Sequence, residues 1–274
     1  MFDFTTDDSF EIEKTIQYEL SIQVSLDGFS FTAFDTFNKK VVAFKTTPVK
    51  ISSNLLLVRH LKDWLESESF LEKRFKNIRI FIFTAIFTLV PEEFSGDKLP
   101  ENSGSLLFHE DATTELIENK IAVLGARLIF TIQSDLISLL NQFFNVNLEI
   151  LHPLTALLSN QVKSEKRNCA AIITTQKFFF LTVYRNGKLL LANSYPYLHY
   201  TDLVYNVLNS FQQVETARSA TELFICDVMN KNKKIEDLLK PYFNHISKLK
   251  TGPAIVNHPD FNHSIQLYLS AIEL

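Results

Sequence analysis

The chain has 274 residues, of which 46% are hydrophobic and 21% charged. This length suits two domains, and this composition is typical of folded globular proteins rather than disordered or collagen-like ones. Lysine and arginine number 27 against 31 aspartate and glutamate residues, a net charge of -4. The basic balance of a nucleic-acid-binding protein is missing, so we expect no nucleic-acid partner.

The chain shows no targeting or membrane-spanning pattern. Acidic residues occupy the N-terminal stretch, where a signal peptide needs a basic start and an apolar core. The longest apolar run, residues 80–90, is shorter than the ~20 residues that cross a bilayer. Cys169 and Cys226 are far apart in sequence, which excludes a metal knuckle and a CxxC redox pair. We therefore expect a cytoplasmic protein with reduced thiols and no membrane span.

Three antiparallel strands are the first predicted elements. Apolar and polar residues alternate through Leu20, Ser21, Ile22, Gln23, Val24, Ser25, Leu26 and Asp27. This period of two predicts a strand with one covered face. Asp27-Gly28 favours a hairpin turn because both central positions of such a turn need positive φ. A second strand is predicted over residues 29–37, and a turn at Asn38-Lys39 leads to a third over 41–47.

A helix and a buried strand follow this meander. Apolar residues at helical spacing begin after the capping candidates Ser52, Ser53 and Asn54, and they include Leu55, Leu61, Trp64 and Leu65. Residues 77–84 form a continuous apolar run that predicts a buried strand. A second helix over 135–144 and a short strand over 147–151 complete the order βββαβαβ.

The same order of elements recurs in the second half of the chain. Strands are predicted over residues 170–175, 178–185, 188–195, 221–228 and 245–249, and helices over 202–211 and 235–243. Asn186-Gly187 supplies the hairpin turn between the second and third strands. The repeated pattern predicts an internal duplication in an α/β fold with mixed sheets. The first half is predicted to span residues 1–160 and the second half residues 161–274.

The first half contains a long connection that the second half lacks. This predicted insertion, at about residues 85–133, holds an apolar segment at 106–108 and a long apolar strand over 121–132. Both segments are β-forming, so an added small sheet is expected, together with a flexible stretch at 95–105. Long connections of this kind are usually functional or disordered. The alternative is that the insertion only covers one face of the domain.

Two βββαβαβ halves joined by a helix resemble the actin-like ATPase superfamily, which includes actin, chaperones and sugar kinases. His152-Pro153-Leu154-Thr155-Ala156-Leu157 stands where that superfamily often has a Glu-Pro-x-x-Ala helix between the halves. More narrowly, residues 20–34 (LSIQVSLDGFSFTAF), with Leu89-Val90-Pro91-Glu92-Glu93 downstream, resemble a family of uncharacterised bacterial proteins of this fold, which carries a domain-of-unknown-function label. The resemblance implies a duplicated, ribonuclease-H-like α/β fold. It also implies that Cys169 and Cys226 are buried thiols on neighbouring strands.

The superfamily binds ATP through an Asp-x-Gly hairpin at the start of each half and a Gly-Gly turn in the second half. Glycine is needed there because the backbone must approach the nucleotide closely. In the first hairpin, Ser25 stands at the Asp position and Asp27 at the Gly position; a register based on Gly28 puts Leu26 at the Asp position instead. Neither register restores the motif.

The second half departs from the motif in the same way. Alignment on the Asn186-Gly187 turn places Ile173 at the Asp position, Thr175 at the Gly position and Phe179 at the hydroxyl position. No glycine follows the strand over 221–228. The residues that remain of a nucleotide site are Ser25, Asp27, Gly28, Ser30 and Thr174.

We therefore expect a non-catalytic scaffold or protein-binding module with no catalytic residue, no metal and no cofactor. Its partner would be another protein or a second copy of itself. One alternative is a kinase or ATPase of the superfamily that uses ATP and Mg²⁺ at an atypical site built from Ser25, Asp27, Ser30 and Thr174. Another is a structural dimer whose interface is formed by the surplus of aromatic residues left after the core is filled; the chain has 25 phenylalanines.

The likeness also suggests a place for the partner. In actin-like relatives of the FtsA and pilus-assembly type, insertions carry partner and self-association contacts. By this resemblance, the interface candidates of this chain are Leu106, Phe108, Leu128 and Phe130.

Overall fold

The computed structural model describes residues 4–95, 113–161, 168–227 and 232–248. The chain divides into two compact units, the first reaching Ser159 and the second starting at Asn160. Within the described ranges, no helix combines the length and the apolar content needed to cross a membrane.

The part of the first unit that the structure describes contains nine strands. They are β1 (Thr5–Thr6), β2 (Tyr18–Ser25), β3 (Gly28–Asp35), β4 (Lys40–Pro48), β5 (Asn77–Ile82), β6 (Phe87–Pro91), β7 (Thr114–Ile121), β8 (Ala126–Gln133) and β9 (Glu149–Leu151). Six of them form one sheet in the order β1-β4-β3-β2-β5-β9. Strands β2, β3 and β4 pair antiparallel, whereas β5 is parallel to both β2 and β9, so the sheet is mixed.

The described residues of the first unit also form four helices and three 3₁₀ turns. The helices are α1 (Asn54–Ser67), α2 (Glu92–Ser95), α3 (Ser134–Phe144) and α4 (Pro153–Gln161), with 3₁₀ turns at Ile12–Gln17, Ser69–Glu72 and Ala122–Leu124. Helix α1 buries Leu57, Leu61, Trp64 and Leu65. The Trp64 ring stacks on Phe29 with centroids 5.3 Å apart, and its Nε1–H donates to Thr47 Oγ1 at 3.0 Å. The single tryptophan therefore ties α1 to β3 and β4.

Strand β2 is covered on both faces, which corrects the prediction of one covered face. Leu20, Ile22 and Val24 are fully buried, and so, nearly, are Ser21, Gln23 and Ser25. The alternation of polarity therefore does not separate a core-facing side from a solvent-facing side. One side of β2 is buried with apolar residues and the other side is buried with polar ones. Among the described residues, the hydroxyls of Ser21 and Ser30 are buried without a hydrogen-bond partner. Burial of a small hydroxyl side chain costs little free energy compared with burial of a charge. Buried serines can therefore produce the same alternating sequence pattern as solvent-exposed polar residues.

The second unit repeats the arrangement of the larger sheet. Its elements are β10 (Cys169–Thr174), β11 (Phe178–Arg185), β12 (Lys188–Pro196), α5 (Tyr200–Gln213), β13 (Glu222–Asp227), α6 (Asn232–Leu239) and β14 (His245–Lys248), with a 3₁₀ turn at Arg218–Ala220. The strand order is β12-β11-β10-β13-β14. This order, third-second-first-fourth-fifth, is also that of β4-β3-β2-β5-β9. The predicted βββαβαβ order is confirmed in both units.

The core of the second unit lies between its sheet and its two helices. Ile172, Leu181, Val207, Phe211, Ile225, Leu239 and Phe243 belong to this buried cluster. On the other face of the sheet, Cys169 and Cys226 are both buried and free of disulfide bonds. Their strands, β10 and β13, are parallel neighbours. The expectation of buried thiols on neighbouring strands is confirmed.

The insertion of the first unit forms its own three-stranded sheet, in the order β6-β8-β7. The predicted small sheet is thus confirmed, but the single long strand over 121–132 is wrong. The chain leaves β7 at Ile121, makes the 3₁₀ turn Ala122–Leu124, and enters β8 after Gly125, whose φ is 55°. An apolar turn of this kind carries no polar signal, which is why the sequence reads as one strand. Residues 106–108 lie outside the described residues.

Candidate functional site

The turn between β2 and β3 is the one that the sequence resemblance aligned with the first phosphate hairpin. Its two residues are Leu26 and Asp27, and the Ser25 side chain holds them. Ser25 Oγ accepts a hydrogen bond from the Asp27 N–H at 3.1 Å and donates one to the Gly28 carbonyl oxygen at 3.1 Å. Ser25 and Asp27 are 8% and 7% exposed. The turn therefore uses its own hydroxyl to satisfy a backbone donor that a phosphate would otherwise take.

The backbone after β4 packs closely against this turn. Gly28 has a φ of 130°, and a Cβ built on it would lie 2.3 Å from the Thr47 carbonyl oxygen and 2.7 Å from the Val49 nitrogen. The Val49 N–H donates to the Asp27 carbonyl oxygen at 3.1 Å. Glycine is required at position 28 because another segment of the same unit fills the space beside it.

The turn between β10 and β11 has the same construction. Thr175 Oγ1 donates to the Phe178 carbonyl oxygen at 2.8 Å and accepts from the Lys177 and Phe178 N–H groups at 3.3 and 3.2 Å. The Tyr197 hydroxyl donates to the Thr175 carbonyl oxygen, and the Tyr197 N–H donates to the Lys177 carbonyl oxygen at 3.0 Å. The N–H groups of Lys177 and Phe178 and the carbonyl oxygens of Thr175 and Lys177 therefore all have hydrogen-bond partners within the second unit.

These hydrogen bonds correct the alignment of the two halves. Ser25 and Thr175 each close their hairpin, and each hydroxyl bonds to the carbonyl oxygen three residues later. The prediction that Ile173 matches Ser25 is wrong by two residues. The next hairpin has a four-residue turn in the first unit, residues 36–39, but the two-residue turn Asn186-Gly187 in the second. An alignment of the two halves on that turn therefore shifts the preceding strands by two residues, the difference between the two turn lengths.

The predicted nucleotide-site residues occupy three places. Ser25, Asp27 and Gly28 come together in the first turn. Ser30 lies in β3 opposite Gln23, with its hydroxyl buried. Thr174 ends β10 in the second unit and is fully buried. The position of the superfamily's Gly-Gly turn, after β13, lies outside the described residues.

The chemistry available at the two turns is limited. A phosphate-binding loop presents unpaired backbone N–H groups to its ligand. Here the N–H groups of Asp27, Lys177 and Phe178 all donate to side-chain hydroxyls of their own turns. A phosphate would have to displace these bonds before it could bind.

A buried polar cluster that sequence reasoning missed lies at the start of α4. His152 is fully buried, and its backbone N–H donates to Asn119 Oδ1 at 2.7 Å. The Thr155 hydroxyl donates to the same oxygen at 2.9 Å, while Asn119 Nδ2–H donates to the Ile150 carbonyl oxygen at 2.9 Å. Asn119 belongs to β7, so the cluster fastens the inserted sheet to the start of α4. Its only sequence signal is His152 at the Glu position of the superfamily motif.

The hydrogen bonds of His152 set its tautomer and its charge. Nδ1 accepts the Leu154 N–H at 3.2 Å, so Nε2 carries the proton and donates to the Thr84 carbonyl oxygen at 3.0 Å. Burial lowers the pKa of His152 to about 3, although the hydrogen bond to Thr84 acts in the opposite direction. The rings of Phe87 and Phe130 lie 4.9 and 5.3 Å from the imidazole. His152 is thus a neutral structural group, with no exposed edge for acid-base chemistry.

Comparison with known protein families assigns the chain to one of them. The sequence profile of the family described as "Protein of unknown function (DUF3822)" matches residues 7–246. The chain belongs to the DUF3822 family. This confirms the resemblance to a bacterial family known by a domain-of-unknown-function label. No curated protein matches the DUF3822 chain.

Two solved structures show the fold of this DUF3822 chain. A protein of Bacteroides thetaiotaomicron VPI-5482, with an actin-like ATPase fold and unknown function, superposes with a TM-score of 0.78 at 21% identity, covering 97% of this chain and 99% of that one. A chain of the PilM-PilN type IV pilus biogenesis complex superposes with a TM-score of 0.56 at 10% identity, covering 95% and 100%. The predicted actin-like ATPase fold is confirmed.

The interface candidates fare differently in the DUF3822 structure. Leu128 and Phe130 are fully buried, which contradicts the exposure that an interface needs. They point to the inner face of the inserted sheet, where Phe130 pairs with Phe87 across β6 and β8 and lies beside His152. Both are core residues. Leu106 and Phe108 lie outside the described residues.

The described residues of the DUF3822 chain hold no metal-binding cluster of three or more histidine, cysteine, aspartate or glutamate side chains. The Asp7 carboxylate, for example, makes hydrogen bonds to neighbouring protein groups. Asp7 accepts from Lys40 Nζ at 2.8 Å and from the Ser9 N–H at 2.9 Å. Burial alone would raise the pKa of Asp7, but these bonds outweigh it and lower that pKa to about 2.

Proposed function

We propose that this DUF3822 chain is a non-catalytic binding module of the actin-like fold with a degenerate nucleotide site. The observation that carries the proposal is the pair of closed turns at Ser25 and Thr175. In each, the hydroxyl accepts a hydrogen bond from an N–H group of its own turn. The sequence supports the same conclusion, because neither turn has the Asp-x-Gly motif that the actin-like resemblance leads one to expect.

A bound nucleotide would have to displace hydrogen bonds that the two turns already make. A net protein hydrogen bond contributes about 1 kcal/mol, and a buried donor or acceptor left without a partner costs about 1 to 3 kcal/mol. A nucleotide would have to break such bonds in each turn and also move the backbone of Thr47 and Val49 away from Gly28. A site that must first be dismantled has little binding free energy left for a ligand.

Duplication is the interpretation we favour for the two units. Their shared strand order and the equivalent hydroxyls of Ser25 and Thr175 support descent from one ancestral half. Because both turns have lost the phosphate motif, the proposal assigns to the fold a role in contact rather than catalysis. The partner is a protein or a second copy of the chain, as for the relative that was solved as a PilM-PilN complex. We place the protein in the cytoplasm.

The competing function is an ATPase or kinase with an atypical site at Ser25, Asp27, Ser30 and Thr174. Release of inorganic phosphate from Mg-ATP by the full chain distinguishes the two. We expect phosphate release no faster than in protein-free buffer, for wild type and for Asp27→Asn alike. Turnover by wild type that Asp27→Asn abolishes, with both proteins equally folded by circular dichroism, would establish the enzyme and reject the proposal.

A further inference from the structure

The turn between β3 and β4 presents a large apolar side chain to solvent. Phe37 is 87% exposed, although the turn that carries it is well ordered by hydrogen bonds. Asp35 Oδ1 accepts from the N–H groups of Phe37 and Asn38 at 2.9 and 3.0 Å, and Asp35 Oδ2 accepts from Asn38 Nδ2 at 2.8 Å. Burial opposes the ionised form of Asp35, but these bonds prevail and lower its pKa. The phenylalanine is therefore held outward by a fixed turn.

A second exposed apolar residue lies next to this turn. Thr36 Oγ1 donates to the Gln17 carbonyl oxygen at 3.3 Å, which joins the turn to the 3₁₀ segment Ile12–Gln17. Ile16, one residue before Gln17, is 64% exposed. The two side chains stand at one edge of the first unit, at the opposite end of β3 from the Ser25 turn. Neither contributes to the core, so their exposure is not explained by packing.

Cationic residues are frequent in the segments that carry this apolar pair and in the segment that Lys76 joins to the turn. Segments 11–17, 35–40 and 72–76 contain six lysine and arginine residues and four acidic ones, whereas the whole chain has a net charge of -4. Lys76 Nζ donates to Thr36 Oγ1 at 3.2 Å, which places it at the turn. Within the described ranges, Lys39, Lys73, Arg74 and Lys76 are in no ion pair, whereas Lys14 and Lys40 are paired with Glu11 and Asp7.

The acidic residues do not cancel this surplus of positive charge. Glu11 is bound to Lys14, and both oxygens of Asp35 accept hydrogen bonds inside the turn. Glu13 and Glu72 remain exposed beside four cations that have no ion pair. We define the basic tip as Ile16, Phe37, Lys39, Lys73, Arg74 and Lys76.

We propose that the basic tip is a docking surface for a membrane that contains anionic lipids. Unpaired lysines and arginines near such a surface contribute attraction that adds up with each charge. An exposed aromatic side chain among them can enter the headgroup region and bury apolar area there. This contact is peripheral and reversible.

The shape of the tip favours a membrane over an acidic peptide. Phe37 projects from a hairpin turn rather than lining a groove, and peptides are usually bound in grooves or along strand edges. A hairpin turn with an exposed phenylalanine and neighbouring cations suits a broad, deformable, negatively charged surface. The proposal does not depend on the state of the nucleotide turns, so either can fail without the other.

Vesicle sedimentation of the full chain tests the proposal. The probes are vesicles of phosphatidylcholine mixed equally with phosphatidylglycerol, and vesicles of phosphatidylcholine alone. We expect binding to the mixed vesicles only, weakening as salt is raised. Phe37→Ser should weaken binding at least about tenfold. The double variant Lys73→Gln/Arg74→Gln should weaken it about thirtyfold, since each charge is worth about fivefold.

Matched controls come from the second unit. Leu198 is 91% exposed, and Lys177 and Lys188 are exposed on the strand ends there. Leu198→Ser and Lys177→Gln/Lys188→Gln make the same chemical changes away from the tip and should bind as wild type does. All of these variants should keep the wild-type melting temperature because the altered side chains are exposed.

Four outcomes would overturn the proposal. They are no sedimentation with either vesicle, equal binding to both vesicles, equal loss of binding in the tip and control variants, and full binding by the tip variants. Tip-dependent binding of soluble poly-glutamate without vesicle binding would assign the surface to an acidic protein segment instead of a membrane.

Discussion

The hydroxyl groups of Ser25 and Thr175 share two equivalent hydrogen-bond partners in their respective hairpins. Each donates to the carbonyl oxygen three residues later, and each accepts from the N–H two residues later. Two units with one strand order thus share an atomic detail in the hairpin between their first two antiparallel strands. These hydrogen bonds hold each turn in a conformation in which the side-chain hydroxyl occupies a backbone N–H group of the same turn.

Removal of either hydroxyl should destabilise the fold. Ser25→Ala removes the acceptor of the buried Asp27 N–H. Thr175→Val removes the acceptor of two partly buried donors, the N–H groups of Lys177 and Phe178. A buried donor left unsatisfied costs about 1 to 3 kcal/mol. We expect a loss of that size in the free energy of unfolding for each variant, measured by urea denaturation.

Ser30→Ala is the matched control for these variants. Its hydroxyl is as buried as that of Ser25 but has no hydrogen-bond partner among the described residues. Its removal should therefore change stability little or raise it. If Ser30→Ala costs as much as Ser25→Ala, the loss comes from general packing and the turn bonds are unimportant.

Two glycines with positive φ provide a second comparison. Gly28→Ala would place a Cβ 2.3 Å from the Thr47 carbonyl oxygen, whereas Gly125→Ala meets no atom within 4 Å. We expect Gly125→Ala to cost about 1 kcal/mol from the left-handed backbone alone. Gly28→Ala should cost at least about 3 kcal/mol, because the overlap adds to the strain. Similar losses for both would show that residues 47–49 yield easily.

The sequence predicted the order of elements better than it predicted their surroundings. Periodicity and turn residues located both βββαβαβ runs, because each helix and strand carries its own apolar pattern. They could not reveal that Ser21 and Gln23 are buried, since a buried hydroxyl or amide looks like a solvent-facing one. The apolar turn before Gly125 was missed for the converse reason: it lacks polar residues.

Contacts between distant segments were beyond sequence reasoning. Nothing local indicates that Asn119 bonds to His152, 33 residues away, or that Thr47 crowds Gly28. Leu128 and Phe130 appeared as an interface because their apolar pattern is the same in a core as on a contact surface. The two-residue error at Ile173 arose from unequal turn lengths, which a pattern of elements does not record.

Buried His152 should make stability depend on pH. Its pKa is about 3 in the folded protein against 6.5 for the ordinary side chain, so below pH 6.5 the unfolded chain binds a proton that the folded chain does not. The contribution of neutral His152 to the free energy of unfolding is therefore complete above pH 6.5. It falls by about 1.4 kcal/mol per pH unit as the pH drops toward 3. Between pH 7 and pH 5, wild type should lose about 2 kcal/mol more than His152→Asn.

Urea denaturation at the two pH values supplies the measurement for His152. Subtracting the variant removes the effect of the other titrating groups, which both proteins share. His152→Asn is less stable at pH 7 because it loses the ring contacts with Phe87 and Phe130. An equal pH dependence in both proteins would mean that His152 is accessible to protons in the folded state.

The two thiols should be unreactive until the second unit unfolds. Cys169 and Cys226 are each 4% exposed, and a buried thiol behaves as a small apolar group. With a colorimetric disulfide reagent, we expect negligible modification of the native protein and two equivalents in denaturant. Rapid labelling of either thiol in native conditions would contradict the burial of β10 or β13.

The central claim is that the closed turns leave no nucleotide site, and thermal unfolding with and without Mg-ATP tests it most directly. A ligand at a hundredfold excess over its dissociation constant stabilises the folded state by ~2.7 kcal/mol. For a chain of this size, each kcal/mol raises the melting temperature by about 2 to 4 °C. We predict no change in the melting temperature at millimolar Mg-ATP. A reproducible rise of several degrees, lost in Ser25→Ala or Asp27→Ala when each is compared with its own nucleotide-free sample, would contradict the account.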